Sequence, residues 1–280
     1  SKSVMDGCAM FNGSLDKVTH SADRSIYIYL FVDGRYGTFS TNRFDAKELE
    51  EFIRKAIAMV RMLGEDPCRR LPEPDRTAKD AVTGQELELY DQAYEDMDIN
   101  VRLENARLLS TFGSSPIKEE GWKLISEDCE YSDSIDDSFT VDSQGFEGRH
   151  TETAFTCFTE MTIETDSGDK YSGHWWESVS HHDRLNIGAC GKKALERAVN
   201  QINPKARRSG RYKMVVDSTV ATRLVSPLFS ALNASAIQQK MSFLSDALDK
   251  PVFSEGLTIM DLARTPGKPG SRLYDTEGVA

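Results

Sequence analysis

The stretch TAFTCFTEMTIETDSGDKYSGHWW, residues 153–176, decides the fold class because it contains a long alternating strand, a turn and a second strand. Alternate residues of this stretch would share one face of a strand, and they are Thr153, Phe155, Cys157, Thr159, Met161 and Ile163. This period of two predicts a half-buried strand. Asp166-Ser-Gly-Asp169 then predicts a tight turn into a strand over Lys170–Trp176. We therefore expect a long antiparallel strand pair with one solvated face.

A hairpin followed by a helix is predicted near the N-terminus. Ile26–Val32 and Arg35–Ser40 are β-like runs separated by Asp33-Gly34, which is a strong hairpin signal. Asp45 and Glu48 form a capping box ahead of an apolar stripe at helical spacing, and Gly64 marks its end.

The remaining predicted elements mix helices and strands without repeated βαβ units, which favours an α+β fold. They are a helix from Asn100 to Phe112 ended by Gly113, strands Trp122–Tyr131 and Phe139–Val141, a helix from Gly191 to Ile202, a strand Met214–Val216, a long helix within Leu224–Leu244, and a strand Leu257–Met260. We predict two α+β domains. Residues 1–135 are hairpin- and helix-rich, and residues 136–280 are strand-rich and expected to be truncated.

The composition argues against nucleic acid and membranes as partners. The 280 residues carry a net charge of −11, and an acidic surface repels phosphate groups. The basic run Lys205–Arg211 is interpreted as a solvated loop. No apolar run approaches the ~20 residues that a membrane span requires. The five cysteines are widely spaced and odd in number, which favours a reduced, cytoplasmic protein.

A search for catalytic chemistry in the residues alone identifies weak candidates and no active site. His181-His182-Asp183 is the tempting set, but neighbouring residues diverge on any regular element, so a solvated loop is the simpler interpretation. His174, beside two tryptophans, fits either a ligand stack or packing within a strand.

Carboxylates and a cysteine complete the candidates. Asp142 lies in an acidic stretch, where turns and solvation are the ordinary role. Cys190 lies near a predicted helix start, which favours a lowered pKa, but no base is near it in sequence. We therefore name no catalytic residue from the residues alone.

Several segments together, in order along nearly the whole chain, resemble the TldD/PmbA family, also labelled modulators of DNA gyrase. They are Asp33–Gly37 with Ser40–Asn42, Asp142–Phe146, Gly191–Ala198, Ser209–Asp217, Ser230–Ala236, Gln239–Leu244 and Asp275–Gly278. The family's chains extend further at both ends, so we expect this sequence to be a piece of a longer one.

The resemblance implies a cytosolic proteolytic system. In it, a TldD-type subunit with a helical H-E-x-x-x-H zinc motif pairs with a PmbA-type (TldE-type) subunit that lacks the motif. Here the corresponding helix lies in LVSPLFSALNASAIQQKMSFL, residues 224–244. The two His positions map to Ser226 and Ala231, and the Glu position to Pro227. The stretch 224–239 contains no His, Cys, Asp or Glu, so we predict a degenerate motif, no metal and no cofactor. Ser226 and Pro227 are expected to be the N-cap and N1 of the helix.

The predicted function is the metal-free subunit of a TldD/TldE-like zinc metalloprotease that acts on peptides and unfolded segments. The predicted partner is a zinc-bearing TldD-like subunit, or a second copy. One alternative is a stand-alone homodimeric peptide-binding or scaffold protein. Another is an enzyme with unrecognised chemistry near His174, His181 or Asp142. The strand from Thr153 to Ile163 would bind an extended peptide by backbone pairing if one of its edges were open.

Overall fold

The computed structural model describes residues 1–111, 118–252, 255–256 and 258–280. The strands are β1 (Lys2–Phe11), β2 (Ser14–Arg24), β3 (Ile26–Val32), β4 (Arg35–Thr41), β5 (Lys118–Glu119), β6 (Trp122–Val141), β7 (Glu147–Thr165) and β8 (Lys170–Val179). The helices are α1 (Ala46–Val60), α2 (Ile99–Leu109), α3 (Ile187–Val199), α4 (Ser218–Leu232) and α5 (Ala234–Gln238). The antiparallel strand pair and the α+β class are as predicted.

A large antiparallel sheet with strand order β2-β1-β6-β7-β8 dominates the fold, and β5 pairs with β6. The β6–β7 hairpin runs from the pair Trp122–Thr165 to the pair Val141–Glu147. Its turn is held by Asp142, whose Oδ1 accepts hydrogen bonds from the backbone N–H groups of Gln144 and Phe146. This confirms the turn role expected for Asp142.

One face of this sheet forms the core under α2 and α3. Buried residues on this face include Cys129, Tyr131, Phe155 and Cys157. Gly173 on β8 lets α3 approach closely, because a Cβ there would overlap the backbone of Ala194 and Ala198. The opposite face keeps polar residues in solvent, as the alternation in β7 predicts.

The N-terminal hairpin and its helix are also as predicted. β3 and β4 pair through a turn at Asp33 and Gly34, both with positive φ. The side chain of Asp45 caps α1 by accepting from the N–H groups of Lys47 and Glu48. A Cβ at Gly37 would lie 2.8 Å from Val60, so this glycine serves the close approach of α1 to the hairpin.

Strand β6 differs from the prediction because residues 122–141 form one strand where we expected two. The intervening polar residues 132–138 resemble a loop in sequence, but β1 pairs with them from Ser132 to Asp137. Strands β1 and β2 were not predicted. Charged and small residues give these strands no clear apolar alternation.

Other elements shift or disappear. Helix α3 begins at Ile187, earlier than the predicted Gly191, and residues 214–216 and 258–260 are not strands. Phe112, Gly113 and Leu257 of the predicted elements lie outside the described residues.

The chain divides into two compact units. The first comprises Ser1–Asn203 with Leu262–Ala280, and the second comprises Pro204–Asp261. The predicted domain boundary after residue 135 lies inside β6. The second unit contains α4 and α5.

Candidate functional site

Helix α4 contains Ser226, Pro227 and Ala231, the three positions at which we predicted a degenerate zinc motif, and the helix begins earlier than predicted. Asp217 is its N-cap, with Oδ1 accepting from the N–H of Thr219 at 2.9 Å. Ser226 and Pro227 therefore lie in the middle of the helix. Our expectation that they form its N-cap and N1 pair is wrong, because the polar residues Asp217, Ser218 and Thr219 cap the helix two turns earlier.

The three positions do not share one environment. Ser226 is exposed, and its Oγ donates to the carbonyl oxygen of Thr222 at 2.7 Å. Pro227 is also exposed and lacks the N–H that a helix interior uses. Ala231 is buried, with its carbonyl oxygen accepting from Ser242 Oγ at 2.6 Å. These residues serve packing and local hydrogen bonding.

The side chains on α4 do not fit a zinc ion. Zinc in proteins takes imidazole, thiolate or carboxylate ligands, and the helix offers hydroxyls, one arginine and apolar groups. In the described part of the chain, no group of three or more His, Cys, Asp and Glu side chains is placed to hold a metal ion.

His182 supports the core beside Tyr131 and Phe155. Its ring lies edge-on to Phe155 at 5.3 Å between centroids, and its Nε2 is 3.2 Å from the Asn105 side-chain amide. Its backbone N–H donates to Asp91 at 2.8 Å. The expected solvated loop is therefore wrong for His182, which is partly buried and ties α2 to the end of β8.

His174 stands on the solvent face of the sheet between two aromatic rings. Its ring stacks with Phe158 at 6.3 Å and with Trp176 at 6.0 Å between centroids. The stack is intramolecular and belongs to a strand that is paired along its length with β7. β7 itself is paired with β6 and β8, so the residues from Phe155 to Ile163 have no open edge for a peptide.

Cys190 is buried in the first turns of α3, and its Sγ donates to the carbonyl oxygen of Trp175 at 3.2 Å. A hydrogen bond from the Cys157 thiol lowers the pKa of Cys190 and raises that of Cys157. Because both thiols are fully buried, neither is accessible to a substrate. All five cysteines are free.

The buried ion pair of Arg102 and Asp133 was missed from sequence. Asp133 on β6 is 1% exposed, and Arg102 on α2 contacts both of its carboxylate oxygens. Asp133 raises the pKa of Arg102. Asp6 lies 3.3 Å from the same guanidinium and 2.7 Å from His20 Nδ1. The sequence contains a signal for this pair, because the alternation of β6 places Asp133 on the strand face that is directed to the core. A carboxylate that is buried there requires a partner.

Family models match three successive segments of the chain. Domain 1 of the PmbA/TldA metallopeptidases matches residues 4–60, the central domain matches residues 94–202, and the C-terminal domain matches residues 209–280. The fold and these segments define a protein of the metallopeptidase-related class. The chain belongs to the PmbA/TldD family.

Curated relatives agree. The metalloprotease PmbA homolog of Haemophilus influenzae is 22% identical over 276 residues, which is 95% of this chain and 57% of the relative. The metalloprotease PmbA of Escherichia coli O157:H7 is 22% identical, over 95% of this chain and 58% of its own length. The chain thus spans somewhat more than half the length of these relatives.

Solved structures share the fold. A protein described as a modulator of DNA gyrase, from Bacteroides thetaiotaomicron, is 34% identical with a TM-score of 0.89 over 100% of this chain and 62% of that one. TldE from Thermococcus kodakarensis is 14% identical with a TM-score of 0.61, over 87% of this chain and 53% of that one, and shows similarity of fold alone. Across the described ranges, no helix has the length and apolar character needed to cross a membrane.

Proposed function

We propose that this chain is the metal-free, TldE-type subunit of a two-subunit zinc metallopeptidase that acts on peptides and unfolded segments. The observation that carries the proposal is the composition of α4 in a chain of a metallopeptidase family. In the register that we propose, Ser226, Pro227 and Ala231 take the positions of the family's catalytic motif, and none of the three side chains is a zinc ligand. A subunit with such a helix contributes binding surface and structure, while the hydrolytic metal belongs to its partner.

The proposed partner is a TldD-type subunit with the H-E-x-x-x-H motif. The curated relatives are named as metalloproteases, and one solved neighbour is a TldE. We place the pair in the cytoplasm, because free thiols at all five cysteines suit a reducing compartment.

The proposal is tested by reconstitution with a TldD-type paralogue from the same organism. A quenched, flexible fluorescent peptide is incubated with this chain, with the paralogue, and with their mixture. We expect cleavage by the mixture, none by this chain alone, and zinc only in the paralogue.

A paralogue in which the motif Glu is replaced by Gln is the matched control, and it should silence the mixture. Equal cleavage by the paralogue with and without this chain would refute the proposed role. Zinc-dependent cleavage by this chain alone would refute it as well.

A further inference from the structure

Three buried thiols belong to the core cluster that lies between the sheet and its helices. Cys129 is on β6, Cys157 is on β7, and Cys190 is in the first turns of α3, and all three are 0% exposed. Cys157 and Cys190 are joined by a hydrogen bond between their thiols. The function proposed from α4 uses none of these groups, so an inference about them succeeds or fails separately.

We propose that Cys157 and Cys190 form a reversible disulfide that fastens α3 to the sheet when hydrogen peroxide is present. The Cys190 thiolate attacks one oxygen of the peroxide, the O–O bond breaks, and hydroxide leaves, which converts Cys190 into a sulfenic acid. The Cys157 sulfur then attacks the sulfenic sulfur, the S–O bond breaks, and water leaves. Two thiols and one hydrogen peroxide thus give one disulfide and two waters, so the sulfur atoms are oxidised and the peroxide is reduced.

The close approach of α3 to the sheet suits this bond, because a disulfide requires Cα atoms roughly 4.4–6.8 Å apart. A Cβ at Gly173 on β8 would overlap the backbone of α3, and a Cβ at Gly191 would lie 3.2 Å from Met161 Cε. Gly191 directly follows Cys190, whose Sγ lies 3.2 Å from the backbone carbonyl oxygen of Trp175 on β8. The Cys190 sulfur therefore reaches the backbone of the sheet.

The strand register favours Cys157 over Cys129 as the partner of Cys190. Trp175, whose carbonyl group accepts from Cys190, opposes Thr159 on β7, and Cys157 lies two residues before Thr159 on the same face. Cys129 opposes Thr159 from β6, on the side of β7 that is away from β8. Helix α3 packs on β7 and β8, so the disulfide would join two side chains that are already in contact.

Cys190 has the features of the attacking thiol. The hydrogen bond from Cys157 lowers the pKa of Cys190 and raises the pKa of Cys157. The start of a helix also favours a thiolate. Asn186 and Gly188 ahead of Cys190 are exposed, and glycines at 188 and 191 weaken this end of α3.

Opening of this helix end gives access to the buried pair. Fraying of the first turns of α3 admits an oxidant of nearly the size of water, and closure of the helix then shields the disulfide. A small thiol reverses the bond during a later opening. Thiol–disulfide exchange then leaves two thiols in the chain and a small disulfide in solution.

Peptide mapping of the natural chain tests the bond. The folded protein is treated with hydrogen peroxide, its remaining thiols are alkylated in denaturant, and its unreduced peptides are identified by mass spectrometry. We expect a peptide pair joined through Cys157 and Cys190 that dithiothreitol separates. The oxidised chain should unfold at a temperature about 5 °C or more above that of the same sample after dithiothreitol, which does not reverse methionine oxidation.

Serine substitutions provide the controls. Cys157→Ser should abolish both the linked peptides and the difference in unfolding temperature. Cys129→Ser is the matched control, because it makes the same change at a buried thiol of the same cluster and should leave both results unchanged. Cys68→Ser removes the exposed thiol, so that bonds between chains through this residue are excluded, and the bond within the chain should persist.

Circular dichroism checks that each variant is folded, and the mapping of the natural chain decides the question if Cys157→Ser does not fold. Free thiols at both Cys157 and Cys190 after oxidation, or a disulfide of either residue with Cys129, would overturn the proposal. An unfolding temperature that is the same before and after dithiothreitol would overturn the claim that the bond fastens α3.

Discussion

The guanidinium of Arg102 makes a two-point contact with the carboxylate of Asp133, with Nε–Oδ2 at 2.8 Å and Nη2–Oδ1 at 2.7 Å. This pair joins α2 to the centre of β6, and the Asp133 side chain is fully buried. A charge that is removed from water at such a place depends on its partner. The contact therefore fixes the position of α2 on the sheet.

Removing one member of this pair should be costly. Asp133→Asn leaves the Arg102 charge without its main partner, and we expect the free energy of unfolding to fall by about 3–5 kcal/mol. Urea denaturation measures the change. Asp137→Asn is the matched control, since Asp137 and Arg149 form a two-point pair at 2.9 Å with side chains that are 32% and 46% exposed. Its cost should stay below about 1 kcal/mol. Similar losses in the free energy of unfolding for the two variants would show that burial does not make the Arg102–Asp133 pair more important than the exposed pair.

The contact of α3 with β8 predicts opposite outcomes for two glycines. Gly173→Ala forces a methyl group into the backbone of Ala194 and Ala198, and we expect a loss of about 1–3 kcal/mol or more. A methyl group added at Gly188 in α3 would meet no atom within 4 Å. Gly188→Ala should be neutral or stabilise the protein by up to about 1 kcal/mol. Thermal unfolding of the two variants distinguishes them, and a stable Gly173→Ala protein would show that α3 moves freely on the sheet.

Acid should weaken the fold through Glu152. His150 and then Arg272 hold the pKa of Glu152 down to about 2. Nε2 of His150 lies 3.4 Å from Glu152 Oε2 without hydrogen-bond alignment, so Arg272, at 2.8 and 3.0 Å, is the firmer partner. A carboxyl group with a lowered folded-state pKa stabilises the protein at pH above its ordinary value of 4.5, and this stabilisation is lost as the pH falls towards 2.

Glu152→Gln should therefore flatten the stability curve between about pH 4.5 and pH 2 relative to the natural chain. The free energy of unfolding is measured by urea titration at several pH values. Glu147→Gln, on the same strand and exposed, is the control. An unchanged acid slope in the Glu152 variant would show that another carboxylate dominates.

How much the sequence predicts depends on how strongly one face of an element is buried. β7 is recognisable because Phe155, Cys157 and Met161 must be apolar to face the core, and the Asp33-Gly34 hairpin follows from turn chemistry alone. β2 has hardly any buried face, so its pattern is not constrained and it was missed. The break predicted in β6 failed because tertiary pairing with β1 overrides a polar local sequence.

The candidate site is divided in the same way. The lack of zinc ligands on α4 can be predicted from the sequence, since the ability of a side chain to bind zinc depends on its residue type. The first residue of α4 cannot be predicted from the sequence, because Asp217 and Ser226 are both acceptable N-cap residues and packing decides between them. The Arg102–Asp133 pair joins residues 31 positions apart, and the sequence alone indicates the need for a partner without identifying it.

Introducing the zinc-motif residues at the three predicted positions should not create a metal site. In the variant Ser226→His, Pro227→Glu, Ala231→His, the first two positions are exposed and the third is buried. A histidine in place of Ala231 must also displace its neighbours in a packed site, and no further ligand set stands ready in the described chain. We expect less than about 0.1 zinc per chain after dialysis, because affinity also requires a complete ligand set and its supporting partners.

Pro227→Ala is the matched control, since it restores a backbone N–H without adding a ligand, and it should raise the thermal stability of the chain. Metal content is measured by atomic emission and folding by circular dichroism. Stoichiometric zinc in the triple variant with its helix intact would show that α4 retains a nearly complete metallopeptidase site.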